Sequence, residues 1–269
     1  MQQNLILSDQ EFHQFRSMIY EVAGISMSEA KKPLVSGRLA KRIRHHRMGS
    51  YGAYFNLLMQ EKAELQVAVD LLTTNETYFF REPKHFDFLR DRILPDLKSR
   101  PVVRVWSGAS SSGEEPYTIA MTLAESLGDR AWEIVASDIS TRVLDKARSG
   151  LYPMADAEGI PRPLLSKYCL KGGGPHEGSF LIDRSLRSRI NFLQVNLNSP
   201  LPNLGEFDVI FLRNVMIYFD METKREVVRR MFPLLRPGGY FIVSHSESLN
   251  GVTDDLKVVV PSIYRKPNA

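Results

Sequence analysis

The stretch "VVRVWSGASSSGEEP" runs from a short apolar segment, Val102 to Trp106, into small residues and then two glutamates. Small side chains between Gly108 and Gly113 let a ligand come close to the backbone. The pattern departs from the G-x-G-x-x-G turn of dinucleotide-binding folds, and no lysine follows as a phosphate-binding P-loop requires. At 25 residues beyond Gly113, "WEIVASD" ends in Asp138, where a carboxylate can accept both hydroxyls of a ribose. Glu114 and Glu115 open the intervening helix; their charge suits the helix dipole but repels a pyrophosphate. Such a site prefers a cationic or neutral nucleoside. S-adenosylmethionine fits, having a ribose, an amino group and a sulfonium but no phosphate. In the other reading, both glutamates only cap their helix.

A second stretch, "TTNETYFFREPKHF" from Thr73 to Phe86, mixes four aromatic rings with Thr74, Asn75, Glu76, Thr77 and Arg81. It is either a linker under a core or a wall of a small-molecule site. Phe79, Phe80 and Phe86 are expected in the core, and Tyr78 is left open. The six histidines and one cysteine form no H-x-x-x-H or C-x-x-C spacing, with His176 and His245 isolated, so no metal is expected. No G-x-S-x-G elbow offers a serine nucleophile, which argues against hydrolysis.

The elements that must position these residues fall into two textures. Up to about Thr74 the pattern is helical. Ser8 and Glu11 form a capping box before a run with Phe12, Phe15 and Ile19 on one face, ended by Gly24. A second helix, from about Pro33 to Arg47, buries Val35, Leu39 and Ile43. It carries Arg38, Lys41, Arg42 and Arg44 with no acidic residue between them. That face is either simply solvated or a docking surface for an acidic partner. From residue 101, strands and helices alternate: "VVRVW", "WEIVASD", "INFLQVNL", "FDVIFLRN", "YFIVSHS" and a final strand in "LKVVVPSIYRK". This βαβ pattern predicts a mainly parallel sheet with helices on both faces and ligands at the strands' carboxyl ends.

Net charge is +4 over 269 residues, too mild by itself to imply nucleic acid. No run of 18 apolar residues occurs, so no membrane span is expected. The N-terminus lacks the pattern of a secretory signal, and a lone cysteine, Cys169, suits a reducing compartment; a cytoplasmic protein is expected.

Six segments in order, "LLTTNETYFFRE", "VWSGASSSGEEPYTIAM", "ASDIS", "VLDKARSGLY", "FLRNVMIYF" and "LLRPGGYFIVSHSESL", resemble the bacterial chemoreceptor glutamate O-methyltransferases, the CheR family. Many relatives carry a cysteine where Ser110 or Ser111 stands and another at Leu212, but neither position needs a thiol. The resemblance implies an α/β fold: a Rossmann-like S-adenosylmethionine-dependent methyltransferase domain, a small N-terminal all-helical domain and an inserted β-subdomain. The expected divisions are residues 1–74 for receptor recognition, 75–93 as a linker contributing to the cofactor site, and 94–269 for transfer, with the insertion at about 168–190.

The implied reaction moves a methyl group from S-adenosylmethionine to receptor glutamates, giving methyl esters and S-adenosylhomocysteine in chemotaxis adaptation. By resemblance, Asn75, Thr77 and Arg81 reach the cofactor from the linker, and Glu115 holds its amino group. Asp138 takes the ribose, Asn196 and Leu197 lie by the adenine, and Arg213 and Asn214 sit beside the methyl donor. Arg81, Arg213 and Tyr218 are the candidates to steer the acceptor carboxylate. The partner is the chemoreceptor's cytoplasmic domain, met by Arg38, Lys41, Arg42 and Arg44. Its C-terminal pentapeptide would be captured beside Gly172, Gly173 and Gly174, on the free edge of "SFLI", with Arg187 or Arg189 meeting an acid. A monomer without nucleic-acid partners is expected. Methylation of RNA or another protein is the alternative, although the [DN]-P-P-[YF] signature of adenine methylation is absent. A noncatalytic receptor-tail binder is a third reading, opposed by Arg81, Glu115, Asp138, Asn196 and Tyr218.

Overall fold

A computed structural model describes residues 5–268; the first four residues of the N-terminal reading lie outside it. Helix α1 (Asp9–Ala23) begins with the capping box, Ser8 and Glu11 exchanging backbone and side-chain hydrogen bonds. It ends at Gly24, whose φ of 71° lets its N–H reach back to the Tyr20 carbonyl. Helices α2 (Lys32–His45), α3 (Tyr51–Gln60) and α4 (Lys62–Leu72) complete the N-terminal unit. Val35, Leu39 and Ile43 are fully buried, as their spacing predicts, against Phe12, Phe15 and Tyr54. Each such side chain contributes about 1.5–3 kcal/mol by leaving water.

The basic face of α2 is more occupied than its sequence suggests. Arg42 Nε donates to Glu64 Oε1 at 2.8 Å, and the Tyr54 hydroxyl donates to the same oxygen at 2.6 Å. Arg38 Nη1 donates to the Leu72 and Thr73 carbonyls at 3.0 Å each, capping the end of α4. Arg42 therefore corrects the expectation of an unpaired docking charge, because its partner lies 22 residues away in sequence. Lys41 and Arg44 are exposed.

The chain then passes through α5 (Lys84–Phe88), a π turn and α6 (Leu94–Asp96) into the sheet domain. Its strands are β1 (Val102–Ser107), β2 (Ala131–Asp138), β6 (Ile190–Gln194), β7 (Phe207–Phe211), β8 (Leu235–Ile242), β9 (Lys257–Val260) and β10 (Ile263–Arg265). They are ordered β6-β2-β1-β7-β8-β10-β9, the first five parallel. From β1 the chain builds outward to β2 and β6, then returns to place β7 on the other side of β1. The switch point, and the crevice above it, lies between β1 and β7. Helices α7 (Glu114–Leu127), α8 (Thr141–Ser149) and α11 (Met221–Met231) pack on the sheet. Val105 joins the core on one face of the sheet and Trp106 the core on the other, the alternation a pleated strand requires. Phe79 and Phe86 are buried as expected, whereas Phe80 is half-buried.

Two strand expectations change. "LKVVVPSIYRK" is not one strand but the antiparallel pair β9–β10, folded back at Pro261 and Ser262, where Ser262 has a φ of 66°. The inserted sheet has the order β3-β5-β4, made of β3 (Leu151–Pro153), β4 (Cys169–Lys171) and β5 (Ser179–Ile182). It therefore begins before residue 168, separated by α9 (Arg162–Tyr168) and followed by α10 (Arg184–Arg187). The "SFLI" strand is central and hydrogen-bonded on both sides, so it has no edge to offer. The outer strands are β3 and β4, and on β4 Leu170 is 54 % exposed.

The glycine turn is explained within the chain. A Cβ on Gly172 would stand 2.1 Å from the His176 carbonyl oxygen, and Gly174 has a φ of 56°, while Gly173 faces open space. Arg187 packs against Gly150, and Arg189 is exposed with its guanidinium 4.8 Å from the Trp132 ring centre. Among the described residues no helix is long and apolar enough to cross a membrane.

Candidate functional site

Above the carboxyl ends of β1, β2 and β7 lies an open cleft whose lining mixes apolar side chains with a few convergent polar groups, as small-molecule sites do. Its floor is the β1–α7 turn. Gly108 N–H donates to the Phe211 carbonyl at 2.8 Å, and Ser110 N–H to the Ser137 carbonyl at 2.9 Å, extending the sheet bonding beyond β1. Ser111 adopts a φ of 48° and aims its N–H at Asp138 Oδ2, 2.9 Å away. Gly113 is required by packing: with a φ of 100°, its Cβ would meet the Tyr152 hydroxyl at 2.7 Å and Ala147 Cβ at 2.9 Å. The two glutamates after it diverge. Glu114 is buried and accepts from the Ser112 hydroxyl, while Glu115 lines the cleft.

Asp138 is 7 % exposed, and burial raises its pKa against the opposing hydrogen bonds from Ser140 and Ser111. Each carboxylate oxygen takes one backbone N–H, leaving lone pairs on both for two hydroxyl donors. The linker supplies the opposite wall with Asn75, Thr77, Tyr78 and Arg81. Asn196 and Leu197 close one end, and Arg213, Asn214 and Tyr218 the other. The structure thus brings every residue expected at the cofactor around one cavity, together with Ala23 and Ile25 from the end of α1. A carboxylate at the end of β2, a second one on α7 and a guanidinium on the linker match a ribose, an amino group and a carboxylate. No cluster of cations suited to phosphates lines the cleft.

The bonding within the wall assigns further duties. Arg213 is buried: it donates from Nη1 to Glu115 Oε2 at 2.8 Å and from Nη2 to the Arg81 carbonyl at 2.5 Å. Nη2 also lies 3.3 Å from Glu82 Oε2. With both ends of its fork committed, Arg213 departs from the expected role of steering an acceptor and instead ties the linker to α7. Arg81 is half-buried; it donates to the Glu76 carbonyl at 2.7 Å and lies 5.6 Å from the Tyr78 ring centre. Its remaining N–H groups are the accessible cationic donors of the cleft. Asn196 donates to the Val22 carbonyl at 2.6 Å and accepts from Asn198 N–H, so it also fastens α1 to the sheet domain. Tyr218 sits in a 3₁₀ turn whose carbonyl accepts from Ser26 N–H at 2.8 Å.

Sequence reasoning missed Glu82. Its carboxylate takes the Asn214 side-chain amide at 3.3 Å, the His245 N–H at 3.0 Å and the Arg213 guanidinium. Burial opposes its charge, but Arg213, the His245 N–H and Asn214 outweigh that and hold its pKa below the ordinary carboxylate value. The signal present was the "RE" pair directly after the aromatic run.

His245 is not isolated in the fold. Its ring stacks obliquely on that of His85, with centres 4.4 Å apart, and both approach Glu82. Burial, then Arg213 and His245, pull the His85 pKa down to about 3. The environment therefore favours a neutral imidazole, and any cation bound between these three residues would face Arg213 across the shared carboxylate.

Comparison with known proteins agrees with this architecture. Residues 10–73 match the all-alpha domain of the CheR methyltransferases, and residues 75–264 match their SAM-binding domain. Chemotaxis protein methyltransferase 2 of Pseudomonas aeruginosa is 44 % identical over 269 residues, covering 96 % of both chains. The chemotaxis protein methyltransferase of Salmonella typhimurium is 40 % identical, covering 98 % of this chain and 92 % of that one. Among solved structures, the N-methyltransferase NodS of Bradyrhizobium japonicum aligns over 74 % of this chain and 95 % of its own, at 14 % identity and a TM-score of 0.42. With both of its domains matched in order and relatives alike along nearly their whole length, the chain belongs to the CheR methyltransferase family and uses S-adenosylmethionine as its cofactor.

Proposed function

We propose that this methyltransferase acts in the cytoplasm, as a monomer, on glutamate side chains of chemoreceptor cytoplasmic domains, forming methyl esters and S-adenosylhomocysteine in chemotaxis adaptation. One observation carries the reading: Arg81, the accessible cation, and Tyr218 both line the cofactor cleft, where a carboxylate acceptor needs no general base. When bound, S-adenosylmethionine supplies an electrophilic methyl group on a positively charged sulfur. A glutamate carboxylate is already ionised at neutral pH. The residues therefore act by placement, which holds the acceptor oxygen in line with the methyl group. Arg81 and Tyr218 are the residues proposed to place it, and Arg213 the one that fixes Arg81 from behind. Lys41 and Arg44 offer free charge on α2, and of the two edge strands, β3 and β4, β4 with its exposed Leu170 is the one proposed for an extended receptor tail.

The test is incubation with labelled S-adenosylmethionine and purified receptor cytoplasmic domains. Base-labile label on glutamate is expected; label on RNA alone, or on no receptor, overturns the assignment. The cofactor site is tested separately. Asp138→Ala is expected to weaken cofactor binding by roughly 1.5–3 kcal/mol, the cost of losing charge-assisted hydrogen bonds. An unchanged dissociation constant by calorimetry would remove Asp138 from the ribose site.

A further inference from the structure

Beside the cofactor cleft runs a second groove, sharing Thr73 and Asn75 with it. Three cations line this groove: Arg38 from α2, and Arg142 and Lys146 from α8. Arg142 and Lys146 are four residues apart and so project from the same side of their helix. No acidic side chain lines it among the described residues. The guanidiniums of Arg38 and Arg142 are engaged only by neutral oxygens: Arg38 by Leu72, Thr73 and Thr74, and Arg142 by the Asp70 carbonyl at 3.5 Å. Lys146 pairs with Glu114 Oε1 at 3.5 Å and Asp156 Oδ2 at 3.6 Å, but at 42 % side-chain exposure these are weak, solvent-screened pairs that a docked acid can replace. Leu71 and Val143 add apolar surface between the charges.

We propose that this groove is a substrate-docking surface for an acidic, amphipathic protein segment, with Arg142 and Lys146 as its specificity-determining cations. The inference rests on the reading that the acceptor is a protein glutamate, and it deepens that reading. A segment rich in glutamate needs several cations along its path, and Arg38 alone supplies one. The methyltransferase domain itself would then take part in choosing the substrate, from α8, opposite α2. The shared wall at residues 73–75 places the docked segment directly against the cofactor cleft. Exposed cations at such a surface act chiefly on encounter and affinity, and salt screens them.

The experiment is steady-state methylation of a receptor cytoplasmic domain by the full-length enzyme at low and high salt. Arg142→Glu combined with Lys146→Ala is expected to raise KM for receptor by about 10-fold or more at low salt. The wild-type KM should rise with salt, and that of the variant much less. Arg148→Glu, on the same helix but paired with Asp145 and outside the groove, is the control and should behave as wild type. Cofactor affinity, by calorimetry, should not change in any variant. Should the reversal unfold the protein, Arg142→Gln with Lys146→Gln gives the same comparison without adding negative charge. If the wild type methylates receptor and these variants keep its KM and salt dependence, the groove is not a docking surface. If the wild type labels no receptor at all, the acceptor assignment fails first, and the inference falls with it.

Discussion

Arg213→Met is expected to lower folding stability by about 3 kcal/mol, because it strands two largely buried carboxylates without their cation. Glu82 and Glu115 are 17 % and 13 % exposed at their side chains, and Arg213, 1 % exposed, sits between them. Removing one member of such a network costs more than the network contributes to stability, since the remaining charges stay desolvated. Arg213→Lys keeps the charge but not the planar fork, and should recover only part of the loss. Combining Arg213→Met with Glu115→Gln should cost less than the sum of the two single changes, because the second change removes a charge the first left unpaired. Urea unfolding of the four variants beside the wild type measures all of this. A loss below about 1 kcal/mol for Arg213→Met would show that water reaches the pair and screens it.

The second large effect belongs to the N-terminal unit. Glu64 is 5 % exposed and accepts from Arg42 and from the Tyr54 hydroxyl, with His46 3.1 Å away. Glu64→Ala leaves those donors partly buried without an acceptor and should cost about 2–4 kcal/mol. Acid should reveal the same interaction. Burial opposes ionisation of Glu64, but hydrogen bonds from Arg42, Tyr54 and His46 prevail and hold its pKa at about 2, against 4.5 for an unperturbed glutamate. A folded-state value below the unfolded one means the group binds its proton more readily in the unfolded chain. Its stabilisation is therefore present above about pH 4.5 and is lost as the pH falls through about 2. Glu64→Gln should flatten the stability profile across that window. A profile that keeps the wild-type slope there would assign the acid loss to other carboxylates.

What the sequence made legible was local. The Ser8–Glu11 box, the Val35–Leu39–Ile43 stripe and the alternation of strands and helices each depend on residues within a few positions of one another. The β1–α7 turn and Asp138 were also readable, because a parallel crossover puts both at the same edge of the sheet. Long-range pairing was not. Nothing within α2 announces that Arg42 will find Glu64, or that Arg38 will cap α4. Nothing in "SFLI" says that a three-residue strand from 151–153 will occupy one of its edges. Glu82 gathers groups from loops more than 130 residues downstream, so its importance arises only when β7 and β8 are laid side by side. Arg213 was found by its position and misread in its duty, since a motif gives proximity to a cleft but not the direction in which a guanidinium points.

The cleft draws its walls from the end of α1, the linker and three strand ends, and Asn196 and Tyr218 each bond to the α1 side. A ligand filling it touches both units of the chain at once, so part of its binding energy falls on the seam between them. Occupancy adds RT ln(1 + [L]/Kd) to the stability of the joined form, about 2.7 kcal/mol at a hundredfold excess over Kd. Contacts that need no ligand, such as Asn196 with Val22 and Thr141 with Asp70, already join the units, so a ligand reinforces a seam that exists without it. That added stability should appear as a melting temperature that climbs with cofactor concentration.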